Sequence, residues 1–467
     1  MKQSFLDVLS QKLPRDTFEQ APNRYLEEPR GRWSGTRALL ARPRSTQDVS
    51  LIIKAASDHV VPVIPYGGGT GLVGGQIKPA GYEEPIILSL ERMREVRAIF
   101  PQENVMIVEA GCILADIQSK ADQEERLFPL SLAAEGSARI GGNLATNAGG
   151  INVLRYGNAR DLCIGLEAVL PDGSIWNGLS RLRKDNTGYD LKNLLIGSEG
   201  TLGVITAASL KLFAKPRSKA TAFLEIASPK AALELLSELK QSAGDVISAF
   251  ELIHSQGFNF LEKTLPHIRR PFESTSGWMV LVELGLSEPD GGAELLENLL
   301  TPHISSALIT DALIAQSDQQ RQEFWAVREN IPEANRLIGS VSSHDISLPL
   351  SYIPEFIDKA DAAIASIGDF RINCFGHLGD GNLHYNVFPR EGASRADHMK
   401  ERDVIKRTVH DVVHAFHGSV SAEHGVGRLK VDDLERYGDP TKLSAMRSIK
   451  AALDPKGIMN PGAVLKA

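Results

Sequence analysis

The first 217 residues alternate short apolar, β-branched runs with amphipathic stretches and glycine-rich turns. Val60–Ile64 precedes a ten-residue segment with six glycines, and Val105–Ala110 stops at Gly111. Apolar runs of this length bounded by turn residues predict strands, and the amphipathic stretches between them predict helices. The pattern indicates a mixed α+β or α/β domain.

A different sequence pattern begins near Ser218, where glycines become fewer. From there to Ser305 the pattern predicts a strand, a helix, a strand and a helix. The predicted segments are Ala222–Ile226, Lys230–Ser242, Gly277–Leu284 and Gly291–Leu300. A long helix is predicted over Asp318–Arg336, and Pro332 is expected to kink or end it. Lys215-Pro216-Arg217 marks the boundary between the two sequence patterns.

Composition places the chain among ordinary globular enzymes. Hydrophobic residues make up 42% of the 467 positions and charged residues 23%, and this length predicts two or three domains. The formal net charge is −7. That charge gives no support for nucleic-acid binding, because nucleic acids select basic surfaces.

Cysteine usage and the lack of long apolar runs bear on the compartment. Cys112, Cys163 and Cys374 are far apart and form no CxxC pair, which is typical of a reducing environment. The first twenty residues mix acids with apolar residues and lack the apolar core of a signal peptide. No run approaches the ~20 apolar residues of a membrane span. We therefore expect a cytoplasmic protein without a transmembrane segment.

The densest glycine segment is Tyr66–Gly75. Glycines carry a cost in conformational entropy, which is justified where the backbone must approach a ligand closely. Exposed backbone N–H groups form an anion site, for which pyrophosphate is the usual ligand. The spacing matches neither a P-loop nor a clean GxGxxG fingerprint. Two further segments rich in small residues, 129–150 and 197–206, predict an extended ligand across a backbone-lined groove.

Histidines are concentrated in the second half, since only one of the 12 lies within the first 253 residues. Gly379-Asp380-Gly381 separates two apolar runs, Ile372–Phe375 and Tyr385–Phe388. Asp-Gly between strands predicts a hairpin, and its turn would bring His377 and His384 together. In one continuous strand, their odd offset would put them on opposite faces instead.

A second polar segment places Glu423 and His424 side by side before Gly425. Two imidazoles and one carboxylate form a three-ligand set with open positions, which is typical of a catalytic metal site. His410 and His414 also have metal-capable spacing on one helix face. No third ligand is obvious for that pair, so we predict a solvated helix there.

The glycine-rich segments resemble the FAD-binding domain of the vanillyl-alcohol oxidase and p-cresol methylhydroxylase family. The branch is the one that holds D-lactate, glycolate and D-2-hydroxyglutarate dehydrogenases. The resemblance runs from about residue 35 to the end and includes GHLGDGNLH at 376–384, SAEHG at 421–425 and NPG at 460–462. It implies an α+β fold, with a two-subdomain FAD-binding domain and a cap domain of antiparallel sheet and helices.

The same resemblance implies the domain boundaries and the cofactor contacts. The FAD-binding domain would span 1–217, the cap or substrate domain 218–420, and a C-terminal segment, 421–467, would pack back on the FAD domain and active site. The residues implied to bind FAD are Gly67, Gly68, Gly69, Thr70, Gly71, Ser131, Gly136, Gly141, Gly142, Thr146, Gly149, Gly150, Gly200, Gly203, Ile205 and Asn460. No histidine lies within 66–76, so we expect non-covalent FAD. Some members of the wider family attach FAD through a cysteine, which leaves Cys163 as an alternative attachment point.

The resemblance also assigns the chemistry. His377, His384 and Glu423 would bind a divalent metal, with zinc favoured, and His424 would be the base. Arg328 would bind the substrate carboxylate, and Asn386 would also contact the substrate. A metal ion on the hydroxyl lowers its pKa, a histidine takes its proton, and flavin takes the hydride.

Two departures leave the substrate open. Some relatives carry a lysine for a distal carboxylate where Ser343 stands, and a threonine where Pro332 stands; His344 or Lys430 are possible substitutes for that lysine. We favour oxidation of D-2-hydroxyglutarate to 2-oxoglutarate, with D-lactate or glycolate as the alternative. A non-catalytic flavin-binding subunit and an oxygen-using oxidase are further alternatives. The expected electron acceptor is an electron-transfer flavoprotein or a quinone, and a homodimer is possible.

Overall fold

The computed structural model describes residues 3–28, 31–33, 35, 37–77, 84–272 and 277–466. The helices are α1 (Gln3–Ser10), α2 (Thr46–His59), α3 (Leu114–Gln123), α4 (Ile140–Ala145), α5 (Val153–Tyr156), α6 (Leu191–Leu195), α7 (Pro229–Ala243), α8 (Ser255–Thr264), α9 (Gly292–Ser305), α10 (Asp318–Ile338), α11 (Ile353–Ala365), α12 (Arg402–Ala415), α13 (Val431–Tyr437) and α14 (Pro440–Leu453). None of these described helices is both long enough and apolar enough to cross a membrane.

The strands are β1 (Phe18–Gln20), β2 (Leu39–Ala41), β3 (Val63–Tyr66), β4 (Ile86–Ser89), β5 (Val96–Phe100), β6 (Val105–Glu109), β7 (Arg126–Leu127), β8 (Cys163–Val169), β9 (Ile175–Gly178), β10 (Val204–Lys211), β11 (Phe213–Ala214), β12 (Ser218–Ile226), β13 (Ile247–His254), β14 (Trp278–Leu286), β15 (Ile309–Ile314), β16 (Ser342–Ser347), β17 (Phe370–His377) and β18 (Asn382–Pro389). The strands and helices predicted between Ser218 and Ser305 correspond to β12, α7, β14 and α9.

The chain divides into two compact units. The first contains Met1–Gly149, Gly157–Lys215 and Glu423–Ala467, and the second contains Gly150–Tyr156 and Pro216–Ala422. The C-terminal segment therefore belongs to the unit formed by the first half of the chain.

One sheet of the first unit has the order β1-β2-β4-β3. Strands β2, β4 and β3 are parallel, and β1 pairs with β2 antiparallel. Helix α2 connects β2 to β3. Ser45 caps its first turn by accepting a hydrogen bond from Asp48 N, and Val49, Ile52 and Ile53 form its fully buried apolar stripe. A capped amphipathic helix of this kind is what a parallel connection requires.

The second sheet of this unit is antiparallel, with the order β5-β6-β10-β8-β9. Glu167 of β8 is buried and links it to the first sheet's helix. Its Oε1 accepts a hydrogen bond from Thr46 Oγ1 of α2 at 2.6 Å and one from Thr206 Oγ1 of β10 at 2.9 Å. Arg97 Nη2 lies 3.2 Å from the same oxygen, and a buried carboxylate is tolerated when it is hydrogen-bonded and paired in this way.

The second unit is built on a seven-stranded antiparallel sheet with the order β15-β12-β14-β13-β17-β18-β16. Helices α7, α9, α11 and α12 cover one face, and α8 and α10 cover the other. Alternation along β17 divides its side chains between the faces, since Cys374 joins the first apolar cluster and Phe375 the second. We call the face under α8 and α10 the Phe375 face.

The structure confirms the predicted hairpin. Strands β17 and β18 pair antiparallel with Phe375 opposite His384. A single helical turn, Leu378–Asp380, and Gly381 in the left-handed region connect them. The local Asp-Gly signal was therefore sufficient to locate this turn.

Helix α10 differs from its prediction at Pro332. The helix continues past this proline to Ile338, so the expectation that Pro332 could end it is wrong. Ile331 and Ala334, on either side of the proline, are fully buried in the apolar cluster of the Phe375 face. Their packing outweighs the backbone hydrogen bond that proline cannot donate.

Candidate active site

A backbone-lined groove in the first unit gathers most of the residues predicted to bind the cofactor. Its walls come from the loop after β3, from α4, from the turn before β10 and from the C-terminal segment. The predicted cofactor residues that line it are Gly67, Gly68, Gly69, Thr70, Gly71, Gly141, Gly142, Thr146, Gly200, Gly203, Ile205 and Asn460. His424, the predicted base, lines the same groove.

Gly68 shows why this loop requires glycine. A Cβ atom at Gly68 would lie 2.3 Å from Ser137 O, so any side chain would displace the backbone. Gln76 Nε2 donates to Gly71 O at 2.8 Å and holds the loop from the other end. Within the described part of the chain, no group accepts a hydrogen bond from the N–H groups of residues 67–71. The loop therefore offers a row of backbone donors, which fits an anionic pyrophosphate.

Four predicted cofactor residues lie outside the groove lining: Ser131, Gly136, Gly149 and Gly150. Ser131 Oγ lies 3.5 Å from Glu135 Oε2, and a Cβ on Gly136 would meet nothing within 4 Å. A Cβ on Gly149 would lie 2.9 Å from Glu423 Oε1. Gly150 is the first residue of the second unit. Contacts between these four residues and a cofactor stay predictions.

Arg428 joins three walls of the groove. Its Nη1 donates to Gly74 O at 2.9 Å and to Gly75 O at 2.7 Å, and its Nη2 donates to Asn460 Oδ1 at 2.8 Å. Asn460 Nδ2 in turn donates to Glu199 O at 2.8 Å. One guanidinium thus ties the glycine-rich loop to the C-terminal turn and, through it, to the segment before β10. We call these contacts the Arg428 clasp.

Glu199 fixes the backbone immediately after His424. Its carboxylate accepts hydrogen bonds from Val426 N at 2.7 Å and Gly427 N at 2.8 Å. Gly425 has a φ of +77°, and a Cβ there would lie 2.7 Å from Glu199 Oε1, so this bend requires glycine. Burial raises the pKa of Glu199 by more than these hydrogen bonds and the nearby basic groups lower it. The bend that carries His424 is therefore held by a buried side chain from the first half of the chain.

In the second unit, His377 and His384 lie on the Phe375 face. Phe375 stands opposite His384, and His377 follows Phe375 by two positions, so the three side chains point to the same side. The ring centroids of the two histidines are 5.9 Å apart. The turn between the strands absorbs the odd offset of seven residues and brings the imidazoles together.

Glu251 of β13 stands directly opposite His377 and is only 1% exposed. Its Oε1 lies 2.6 Å from His377 Nδ1, and its Oε2 accepts a hydrogen bond from Arg328 Nε at 2.7 Å. Burial alone would raise the pKa of Glu251, but the charges of His377 and Arg328, with their hydrogen bonds, hold it at about 2. Glu251 is therefore an ionised carboxylate that is shared between His377 and Arg328.

Arg328 comes from α10 and is 5% exposed. Its guanidinium carbon lies 4.8 Å from the ring centroid of Phe375, a cation–π contact that favours a fixed position. While its Nε is engaged by Glu251, none of the described residues accepts a hydrogen bond from its Nη1 or Nη2. A buried guanidinium whose two Nη atoms are unengaged fits a planar carboxylate ligand.

Asp345 of β16 stands opposite His384, with its Oδ1 3.9 Å from His384 Nδ1. Asn382 Nδ2 donates to this oxygen at 3.0 Å. Asn386, two positions after His384, lies on the same face and donates through Nδ2 to His384 O at 3.2 Å. Each imidazole thus has a buried carboxylate nearby, which is the usual arrangement behind metal-binding histidines.

His344 lies on the opposite face from its neighbour Asp345. There its ring centroid is 5.2 Å from that of His410 and 6.5 Å from that of Tyr385. The suggestion that His344 binds a distal carboxylate is wrong, because strand alternation turns it away from His377 and His384. The prediction of a solvated His410–His414 helix is wrong for His410, which is 2% exposed in this contact.

Three other residues raised by the sequence lie away from the groove lining. His59 ends α2, with its Nδ1 2.9 Å from Ala55 O. Cys163 is buried, and burial raises its pKa to about 12. Lys430 is buried in the first unit, where its charge acts on Glu199.

Sequence reasoning missed Glu251, Asp345, Glu199 and Arg428. One local signal was available for Glu251, which is the single acid within the apolar run Ile247–Ile253. The same signal marks Glu283 in β14, whose partners include Thr221, Trp325 and Lys219. Only the three-dimensional pairing separates the two glutamates.

The fold is similar to that of p-cresol methylhydroxylase with substrate bound. The two structures match with a TM-score of 0.76 over 99% of this chain and 97% of that one, at 15% sequence identity. The match confirms the predicted α+β class, a p-cresol methylhydroxylase type of FAD-binding domain with a cap domain of antiparallel sheet and helices.

The sequence defines the family. A model described as "FAD binding domain" matches residues 38–178, and one described as "FAD linked oxidases, C-terminal domain" matches residues 215–464. The chain belongs to the FAD-linked oxidase family and is a flavin-dependent oxidoreductase. It is 39% identical to the D-2-hydroxyglutarate dehydrogenase of Bos taurus, over 93% of this chain and 79% of that protein. It is 34% identical to a putative D-lactate dehydrogenase of Schizosaccharomyces pombe, over 92% and 82%.

Both relatives are named as mitochondrial proteins. The expectation of a cytoplasmic protein is therefore wrong. Sparse, unpaired cysteines distinguish a reducing compartment from an oxidising one, but they do not distinguish one reducing compartment from another.

Replacing Arg428 with methionine should lower the free energy of unfolding by about 2–4 kcal/mol, because it leaves several buried acceptors without their charged donor. It should also lower the fraction of purified protein that retains flavin. Equilibrium denaturation and the ratio of flavin to protein absorbance measure the two effects. Arg447→Met, in the same segment but half exposed in its pair with Glu435, should cost less than about 0.5 kcal/mol. Equal behaviour of the two variants would contradict the clasp.

Proposed function

We propose that this oxidoreductase uses FAD and a divalent metal ion to oxidise D-2-hydroxyglutarate to 2-oxoglutarate. The observation that carries the proposal is the arrangement on the Phe375 face of the second unit. Two imidazoles with buried carboxylates behind them share this face with a buried arginine whose two Nη atoms are unengaged. The name of the Bos taurus relative supports the choice of substrate.

The groove of the first unit is the proposed FAD site. The N–H groups of residues 67–71 would hold the pyrophosphate, and the small residues of α4 leave room for the rest of the cofactor. When bound, FAD supplies the redox chemistry by accepting a hydride from C2 of the substrate. Neither His59 nor Cys163 lines the groove, which supports non-covalent binding.

His377, His384 and Glu423 are the proposed ligands of the metal ion. Two imidazoles and a carboxylate suit zinc and leave a position open. Glu423 directly follows Ala422, whose N–H donates to Asp345 O at 3.3 Å. When bound, the ion supplies Lewis-acid polarisation of the substrate hydroxyl.

The remaining steps belong to side chains of the protein. His424 would accept the proton of the hydroxyl, since histidine ordinarily titrates near neutral pH. Arg328 would bind the C1 carboxylate through Nη1 and Nη2, which fixes the orientation of C2. Asn386, on the same face as His384, would contact the bound substrate.

The D-lactate alternative rests on Ser343, the position at which some family members carry a lysine. Ser343 stands opposite Asn386 in the sheet, and a serine hydroxyl carries no charge to match a second carboxylate. A short substrate such as D-lactate or glycolate needs no such partner. The name of the Schizosaccharomyces pombe relative supports this alternative.

The reduced flavin must pass its electrons on. We propose an electron-transfer flavoprotein or a quinone as the acceptor, on the basis of the family resemblance. Peroxide formation during turnover in air would favour an oxygen-using oxidase instead.

The test is anaerobic mixing of metal-replete protein with D-2-hydroxyglutarate, D-lactate, glycolate or the control L-2-hydroxyglutarate. The absorbance of oxidised FAD should fall fastest with D-2-hydroxyglutarate and stay constant with its L-enantiomer. Faster bleaching by D-lactate or glycolate would identify that acid, and not D-2-hydroxyglutarate, as the preferred substrate. If no 2-hydroxy acid bleaches the flavin, a non-catalytic flavin-binding subunit becomes the better description.

A further inference from the structure

Glu251 is only 1% exposed on the Phe375 face, and the proposed function gives it no step of its own. Each of its two oxygens has one partner: Oε1 faces His377 Nδ1 at 2.6 Å, and Oε2 accepts from Arg328 Nε at 2.7 Å. Removing a carboxylate from water is strongly unfavourable unless its charge is compensated. The two compensating groups have separate roles in the proposed function, His377 as a metal ligand and Arg328 as the partner of the substrate carboxylate.

The two contacts of Glu251 come from different elements: the sheet supplies His377, and helix α10 supplies Arg328. Glu251 and His377 are directly opposed across β13 and β17, so their side chains emerge on the same face. Arg328 reaches the same point from α10, where its guanidinium lies over Phe375. Among the described residues, this carboxylate is the only hydrogen-bond partner of Arg328, and it also contacts an imidazole of the proposed metal site.

We propose that Glu251 is a positioning residue that couples metal binding to recognition of the substrate carboxylate. The proposal rests on the proposed function, because it takes His377 as a metal ligand and Arg328 as the carboxylate partner. One oxygen orients the imidazole, and the other orients the guanidinium. Loss of this one side chain should therefore impair both sites.

The first half of the coupling is a matter of tautomers. An ionised carboxylate only accepts hydrogen bonds, so His377 donates Nδ1–H to Glu251 and carries its lone pair on Nε2. A metal ion binds the unprotonated ring nitrogen, and a carboxylate behind the ring makes that nitrogen more basic. Glu251 thus selects the tautomer that can bind an ion through Nε2.

The second half concerns the fork of Arg328. Engagement of Nε by Glu251 fixes the plane of the guanidinium and leaves Nη1 and Nη2 for a ligand. A bidentate pair requires this plane to be aligned with the substrate carboxylate. Without this contact the guanidinium of Arg328 could rotate, and the substrate would be held less precisely for hydride transfer.

Glutamine at position 251 separates this account from a simple packing role, because it preserves shape and removes one acceptor. If its amide oxygen accepts from Arg328 Nε, its NH₂ group faces His377 Nδ1 and favours the tautomer protonated at Nε2. If the amide is reversed, its NH₂ group faces the Nε–H of Arg328, donor against donor. Either orientation breaks one of the two contacts outright, and the other becomes a weaker hydrogen bond to a neutral amide, so both sites should be impaired.

The experiment uses full-length, FAD-loaded protein as wild type, Glu251→Gln, Glu251→Asp and Glu283→Gln. Zn²⁺ affinity is measured by competition with a chromophoric chelator, and the KM for D-2-hydroxyglutarate by dye reduction. Glu251→Gln should weaken Zn²⁺ binding about 10–100-fold and raise KM by a similar factor. Glu251→Asp keeps two acceptor oxygens on a shorter stem, so both constants should shift in the same direction by less.

Glu283→Gln is the matched control, a buried glutamate on the neighbouring strand β14. It should leave Zn²⁺ affinity and KM unchanged. If Glu251→Gln cannot be purified in folded form, Glu251→Asp decides, and wild-type constants in either variant would overturn the coupling. A shift in only one of the two constants would overturn it as well. The proposed function fails separately, if wild-type protein itself binds no Zn²⁺ or is not reduced by any 2-hydroxy acid.

Discussion

Replacing His424 with asparagine should lower the rate of flavin reduction by about 10²–10⁴-fold, the usual contribution of a positioned general base. His424 lines the groove proposed for FAD, and the bend that carries it is held by Glu199. Asparagine keeps a polar side chain of similar reach but cannot accept a proton at neutral pH. The cofactor and the metal ion should stay bound, because the substitution changes neither the backbone of Gly67–Gly71 nor the proposed metal ligands.

Anaerobic stopped-flow mixing with D-2-hydroxyglutarate measures this rate, and absorbance and metal analysis of the same sample report occupancy. The control is His267→Asn, at an exposed histidine, which should behave as wild type. A rate close to that of wild type in the His424 variant, with both groups bound, would remove His424 from the chemistry.

Replacing His384 with alanine should abolish stoichiometric metal binding. The loss in affinity should exceed the about 10–100-fold effect of losing a residue that only supports a ligand. Flavin reduction by substrate should fall with the metal content, whereas FAD itself should remain, because its proposed groove lies wholly in the first unit. Metal analysis after gel filtration and the FAD absorbance of the same fraction measure the two effects.

His414→Ala is the matched control, since His414 belongs to the other histidine pair of the second unit and is exposed. Its metal content should equal that of wild type. A His384→Ala variant that keeps one ion per chain would place the metal elsewhere.

The sequence predicted those parts of the site that depend on local signals. The glycines of the loop after β3 are dictated by close backbone approach, as at Gly68, and such positions are visible in any sequence. The β17–β18 hairpin follows from an Asp-Gly turn between two apolar runs.

The parts that the sequence did not reveal depend on pairing between distant segments. Glu251 is 126 positions from His377, and Glu199 is 227 positions from Val426. Strand order in the seven-stranded sheet places β13 beside β17, and no local propensity encodes that order. His410 was misjudged for the same reason, because the helical spacing shows which residues share a face but not what covers that face.

The most direct test of the central claim is to restore Zn²⁺ to chelated wild-type protein and follow anaerobic flavin reduction by D-2-hydroxyglutarate. Metal-free protein should retain its FAD and reduce it only very slowly. The rate should then rise in proportion to added Zn²⁺ and reach its maximum at one ion per chain. Rapid reduction of the flavin in fully metal-free protein would contradict the account.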